Sequence, residues 1–320
     1  MTESQAIIDH LAKAWFFCCP NCRSPLVYRS KEELCCTRDG LAFPCIAGIW
    51  RLLTPAQIDT YRQFIEEYEA VRKAEGRGSP DAEYYRALPF DDLTGKHKAD
   101  WLIRSKSYRQ FIGELVSPAE RQIQNPLRII DLGAGNGWLS YQLTKRGHQV
   151  AAVDLITNDW DGLGSFKYYD LLYIPIQADF NRLPFCDLQF DLAVFNASFH
   201  YSSSYLLTLQ ECLRILAPGG RLVILDTPVY HNASSGASMV RERESEYERK
   251  YSFPSNSLGS ENYLTYARLD EIGNKLNLDW KLRTPIYGFS WWVKPIKAKI
   301  KGDREPAKFH LIYALKPNFS

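Results

Sequence analysis

From Pro126 onward, short β-branched runs alternate with helical stretches, and few folds accommodate that alternation. The runs LRIID, QVAAVDL, IPIQAD, FDLAVFNA and GRLVILD predict strands, with helices over WLSYQLTKRG and YLLTLQECLRIL. Strands separated by helices pair in parallel, because a parallel neighbour is reached only by a crossover long enough to hold a helix. The polar and charged segment at about 227–262 interrupts the pattern as an insertion. The stretch YLTYARLDEIGNKLNL then restores a helix, and DWKLRTP and FHLIYALKP predict late strands. The fold class is therefore α/β, with a doubly wound, mostly parallel sheet. In KPIKAKIK, Ile296, Ala298 and Ile300 alternate with Lys297, Lys299 and Lys301, which predicts a solvated edge strand and pocket wall within the basic, aromatic stretch from Trp291 and Trp292 through Lys294 to Arg304.

The first strand ends in Asp131 and is followed by Gly133, Gly135 and Gly137 before the helix begins. Glycines between a strand and a helix let backbone and ligand approach closely, beside the free amides of the helix N-terminus. The spacing is G-x-G-x-G, and Trp138 stands where a dinucleotide fingerprint would have its third glycine. Asp131 would repel a pyrophosphate and attract an ammonium group, so the expected ligand is cationic there. Asp154 ends the next strand and is placed to accept both hydroxyls of a ribose. Asp179, after the third strand, can accept from an exocyclic adenine amine, with Phe180 or Leu155 against the base.

This set resembles the class I S-adenosylmethionine (SAM) dependent methyltransferases, in particular their type 11-like branch. DLGAGNG is similar to their first motif, Asp154 to their second-strand acid, ADF to their adenine motif and FDLAVFNASFHY to their fourth strand. LRILAPGGRLVI, with Pro218, Gly219 and Gly220 at its turn, is similar to the helix, turn and fifth strand of the small-molecule branch. The resemblance covers about residues 128–225. It implies a Rossmann-like fold with SAM held by Asp131, Gly133, Gly135, Asn136, Gly137, Asp154, Leu155, Asp179, Phe180 and Asn196. Methyl transfer from a sulfonium is an in-line displacement, so positioning and exclusion of water supply most of the catalysis. The transfer-site candidates are Asn196, Ser198, Phe199, His200 and Tyr201, with Asn196 bonding the methionine portion or the acceptor and His200 removing a proton. The segment from Asn196 to Phe199 lacks the proline pair common in exocyclic-amine methylation of nucleic acids, and Cys186 in LPFCD reads as a packed small side chain rather than a nucleophile. Tyr84, Tyr85, Trp101 and Arg104, upstream of the core, are read as closing over the cofactor or as packing helices onto the sheet.

Six of the eight cysteines fall between Cys18 and Cys45, a spacing that suits a metal. Cys19-Pro-Asn-Cys22 forms one ligand turn, and Cys36-Thr-Arg-Asp39-Gly40 stands where a second knuckle would be, with 13 residues between the two turns. This pattern, with Phe43-Pro44 and Gly48-Ile49 after it, resembles the Trm112-like zinc ribbon, also found at the N-terminus of some bacterial ribosomal-RNA guanine methyltransferases. Asp39 replaces the fourth cysteine. The resemblance thus implies a structural zinc on Cys19, Cys22, Cys36 and Asp39, with Cys45 or Cys35 as substitutes for the last and a metal-free ribbon as the alternative.

The resulting organisation is a zinc-ribbon-like module at 1–56, a helical connecting segment at 57–127 and a SAM-dependent methyltransferase domain at 128–320. Net charge is only +2, from 39 basic and 37 acidic residues, so no overall field draws the protein to nucleic acid or lipid. No window approaches the roughly 18 apolar residues of a membrane span, and MTESQAIIDHLAKAW lacks signal-peptide architecture, so a cytoplasmic enzyme without a membrane partner is expected. A small or medium-sized acceptor is favoured over an RNA base, the reading that the ribbon and the basic stretch would support. A SAM-binding or partner-binding protein without transfer activity is the third reading.

Overall fold

The computed structural model describes residues 14–122, 125–288, 291 and 293–317. The N-terminal stretch 1–13, read above as lacking a signal, and Trp292 lie outside the described residues. The ribbon is an antiparallel meander of β1 (Leu26–Ser30), β2 (Glu33–Cys36), β3 (Ala42–Ile46) and β4 (Ile49–Arg51). Ala47 and Gly48 join the last two with φ of 50° and 82°, the left-handed pair that a two-residue hairpin requires. α1 (Pro55–Ala74) follows at once: Thr54 caps it by accepting from the Gln57 amide, while the Gln57 side chain accepts from the Thr54 amide. The connecting segment continues through α2 (Ala82–Ala87), α3 (Lys98–Phe111), one wider π turn at Ile112–Val116, and α4 (Ser117–Gln122).

The large sheet is built on β5 (Arg128–Leu132), α5 (Trp138–Lys145), β6 (Gln149–Asp154), β7 (Ile174–Gln177), β8 (Phe190–Asn196), α6 (Tyr205–Ile215) and β9 (Leu216–Leu225). Its five strands run parallel in the order β7-β6-β5-β8-β9. Ile129, Ile130 and Leu132 of β5 are all fully buried, as expected of a central strand covered on both faces. The Pro-Gly-Gly stretch lies within β9, where Leu216 faces Phe190 but Arg221 faces Leu192. The intervening residues bulge out, with Gly219 at φ 74°.

Beyond β9 come β10 (Val229–Tyr230), α7 (Ala233–Tyr251), β11 (Leu264–Thr265), α8 (Tyr266–Leu276), β12 (Lys281–Arg283), α9 (Lys294–Lys301) and β13 (Leu311–Leu315). β13 and then β12 close that side of the sheet in antiparallel pairing. The edge strand expected over KPIKAKIK is corrected: this stretch is the helix α9, and the edge belongs to β12. Pro295 opens α9 in its first turn and Gly302, at φ 72°, ends it, so helix start and stop signals override the period-two reading. Ile296 and Ile300, four apart on this helix, are both exposed.

On the opposite side the ribbon completes the sheet. β4 pairs in parallel with β7, Trp50 opposite Ile176 and Arg51 opposite Gln177, so β7 is not left as an open edge. A second seam brings Phe17 against Phe185, with Cys18 N donating to Pro184 O at 3.1 Å and Cys186 N to Phe16 O at 2.8 Å. Trp15 stacks on Phe190 with ring centroids 4.5 Å apart, and one hydrophobic core runs from Cys19, Leu34 and Phe43 into Ile130 and Val153. A ribbon too short to bury a core of its own thereby shares that of the sheet.

Candidate active site

The glycine loop opens at the C-terminal end of β5, with Gly133, Gly135 and Gly137 at φ of 77°, 55° and 77°. Two of the three make room for the protein itself. A Cβ on Gly133 would lie 2.2 Å from Ser198 Cβ, and one on Gly137 would lie 1.8 Å from the Tyr173 hydroxyl. At Gly135 the nearest atom is Asp161 O at 3.7 Å, so this is the glycine that leaves space beside the loop.

Of the two acids expected here, Asp154 is half-buried and lines the cleft beside that space, whereas Asp131 is buried and is not among the lining residues. Asp154 accepts from Gly135 N through Oδ2 and from Ile156 N through Oδ1, both at 2.8 Å, which leaves each oxygen a second lone pair. Burial pushes its pKa up to about 6. Asp131 accepts from Ser140 Oγ at 2.7 Å through Oδ2, whereas Oδ1 is buried without a partner. Burial pushes Asp131 to about 7, and the neighbouring Asp154 adds to the rise. A buried oxygen with no donor marks the place for an ammonium or hydroxyl group. These residues therefore fit SAM on their own chemistry.

Gly133, Gly135, Asp154, Leu155, Asp179 and Phe180 all line one cleft of about 650 Å³. Asp179 receives Asn181 N at 2.9 Å and, on its other oxygen, Gln57 Nε2 at 3.2 Å, so α1 already touches the expected adenine acid. The facing wall consists of Tyr61, Phe64 and Tyr68 of α1 with Tyr201, which packs against Phe64 and Tyr68 at ring distances of 6.2 Å. The sequence carries these aromatics as a helical stripe, but which element a stripe covers is set by tertiary packing. Tyr84, Tyr85 and Trp101 pack elsewhere: Tyr85 stacks on Tyr168 and Trp101 meets Trp138 edge-on.

Other candidates fall outside the cleft wall. Asn136 supports the loop, its side chain accepting from Trp138 N and its carbonyl from the Tyr169 hydroxyl. Asn196 Nδ2 donates to Asp226 Oδ2 at 3.5 Å. His200 lies beside Tyr201 with Nδ1 buried and unpartnered, and burial together with Arg243 and Arg104 pushes its pKa down to about 3. His200, the residue expected to remove a proton, is not among the residues that line the cleft. Ala197, Ser198, Ser202 and Ser203 occupy the wall instead.

In the ribbon, the ligand atoms of Cys19, Cys22, Cys36 and Asp39 all lie within 4.8 Å of one another. Cys22 Sγ is 3.5 Å from Cys36 Sγ, and Cys19 Sγ is 3.4 Å from Asp39 Oδ2. Asn21 Nδ2 donates to the same Asp39 oxygen at 2.9 Å. Cys35 and Cys45, the substitutes considered for the fourth position, are not in this cluster.

Residues 130–224 match the methyltransferase domain family, a stretch that runs from β5 through β9 and contains the whole glycine loop. This part of the chain is similar to methyltransferase domains. Over 99 residues the chain is 35% identical to malonyl-[acyl-carrier protein] O-methyltransferase of Erwinia pyrifoliae, covering 31% of this chain and 37% of that one. Over 113 residues it is 33% identical to demethylmenaquinone methyltransferase of Deinococcus radiodurans, covering 34% and 47%. The chain thus spans less than half the length of these relatives. An S-adenosylmethionine dependent methyltransferase structure from Mesorhizobium loti superposes with a TM-score of 0.44 at 18% identity, over 60% of this chain and 91% of that one. Among the described residues no helix is long and apolar enough to cross a membrane.

Proposed function

We propose that this protein transfers the methyl group of SAM to a small-molecule acceptor, with a structural zinc in its ribbon. The observation that carries the first part is the cleft in which the glycine loop, Asp154, Asp179 and Phe180 meet under the aromatic face of α1. The sequence relatives, one named for malonyl-[acyl-carrier protein] and the other for demethylmenaquinone and neither for a nucleic acid, support it. When bound, SAM would supply a methyl group on a cationic sulfur, open to displacement by an acceptor's lone pair with the sulfur–carbon electron pair returning to sulfur. Asp154 holds the ribose hydroxyls, Asp131 offers its free oxygen to the ammonium group, and Phe180 and Leu155 flank the base. Tyr61, Phe64, Tyr68 and Tyr201 keep water from the reacting atoms. The chain's own contribution to this step is alignment of the two reactants and exclusion of water.

Calorimetry tests the binding step. The parent binds SAM, and Asp154→Ala weakens binding about 10- to 150-fold, the loss of roughly 1.5–3 kcal/mol expected when hydrogen bonds to a charged group are removed. The pH dependence follows from the two raised pKa values. In the free protein Asp131 and Asp154 titrate near 7 and 6, above the usual 3.8. Their contribution to folding is therefore fully present below pH 3.8 and is lost as pH rises through 6 to 7. SAM engages the ionised forms, so binding releases protons, and its affinity rises between about pH 5 and 7. Affinity flat across that range, or binding of NAD in place of SAM, contradicts the assignment.

A further inference from the structure

Behind the aromatic wall lies a second cavity, of about 560 Å³, which shares Phe64, Tyr68 and Tyr201 with the cofactor cleft. Its charged lining comprises Arg72, Arg77 and Arg243 against a single acid, Glu75. Arg72 is paired with Asp161 and, at 3.8 Å, with Glu75. Arg77 is paired with Glu75 at 3.2 Å and with Asp100 at 2.8 Å, but its Nη1 is buried with no acceptor. Arg243 of α7 makes no ion pair or hydrogen bond among the described residues, and its Nε is buried. Close by, Arg104 stacks over Trp101 at 4.7 Å and likewise has no carboxylate partner among the described residues. Tyr68, Tyr201 and Tyr247 add phenol groups to the same cavity.

A buried guanidinium N–H that has given up water without gaining an acceptor is costly, and the two side chains that carry such an atom, Arg77 at Nη1 and Arg243 at Nε, line one space. We propose that this cavity receives an anionic group, carboxylate or phosphate, at the end of the methyl acceptor remote from the reacting atom, with Arg243 and the free Nη1 of Arg77 as its donors. Guanidinium groups suit both anions because each presents paired oxygens to a planar fork. The wall shared with the cofactor cleft puts the rest of such an acceptor against Phe64, Tyr68 and Tyr201, toward the glycine loop. Burial first, and then the charges of Arg243 and Arg104, lower the basicity of the neighbouring His200. The inference rests on the methyl-transfer reading but is tested apart from it.

The experiment titrates the full-length protein with inorganic phosphate and, separately, with succinate, at ionic strength held constant with chloride, while SAM affinity is measured in parallel. Saturable binding of at least one anion is expected, and the stronger of the two identifies the head group as phosphate or carboxylate. Arg243→Gln should weaken it at least tenfold, and Arg243→Lys should restore part of that loss. SAM affinity of both variants should stay within about twofold of the parent, which also reports that they are folded. Absence of anion binding above the chloride control, or equal binding by parent and Arg243→Gln, overturns the inference while leaving SAM binding intact. Anion binding without SAM binding keeps the site and removes the methyl-transfer reading.

Discussion

Replacing Gly133 by alanine should destabilise the protein by roughly 2–5 kcal/mol and abolish SAM binding. At φ 77° an alanine bears the left-handed penalty of about 1–2 kcal/mol. Its Cβ would also stand 2.2 Å from Ser198 Cβ. That contact is with the root of a side chain held by its own hydrogen bond to Leu132 O, so it has little room to yield. Overpacking of this kind adds about 1–3 kcal/mol. Gly135→Ala is the instructive contrast: with only Asp161 O within reach, at 3.7 Å, it carries the backbone penalty alone, about 1–2 kcal/mol. It should therefore remain folded and yet bind SAM poorly, because its methyl group enters the space left for the ligand. Urea unfolding and calorimetry on the two variants separate the effects, and equal stability of both would contradict this account of the loop.

Removal of zinc should be felt by the whole protein rather than by the ribbon alone. β4 is hydrogen-bonded to β7, and ribbon side chains share the core of the sheet, so loosening of the Cys19, Cys22, Cys36 and Asp39 cluster exposes apolar surface at both seams. Purified protein should contain close to one zinc per chain, and Cys22→Ser should lose it. The expected cost is on the order of 5 kcal/mol, below the roughly 10–16 kcal/mol of isolated zinc peptides because the ribbon's apolar packing persists. At roughly 2 °C per kcal/mol, the melting midpoint should fall by about 10 °C in a single transition. Protein that is metal-free as purified and melts at the same temperature after chelation would contradict the zinc assignment and favour a ribbon held by packing alone.

The parallel sheet was legible because its strands are continuous apolar runs of a kind that only a doubly covered sheet accommodates. The glycine loop, Asp154, Asp179 and Phe180 were legible for a related reason: each lies at the C-terminal end of a strand or just after it, so topology alone brings them together. Side chains whose roles depend on what packs against them were not. Tyr61, Phe64 and Tyr68 form a helical stripe that would read the same whether it faced a cofactor or a core. His200 follows β8 as a transfer-site residue should, but its basicity is lowered first by burial and then by Arg243 and Arg104, both distant in sequence. The docking of the ribbon turns on β4, a strand of three residues whose partner lies more than 120 positions away. In KPIKAKIK, Ile296 and Ile300 are compatible with both periods, and only Pro295 and Gly302 decide between them.

The most direct test of the central claim is transfer of labelled methyl from SAM, catalysed by the full-length protein, into a fractionated cell extract with and without ribonuclease treatment. The account expects label in the small-molecule fraction, unaffected by ribonuclease and lost with Asp154→Ala. Label confined to RNA and abolished by ribonuclease would contradict it, as would SAM binding with no transfer into any fraction.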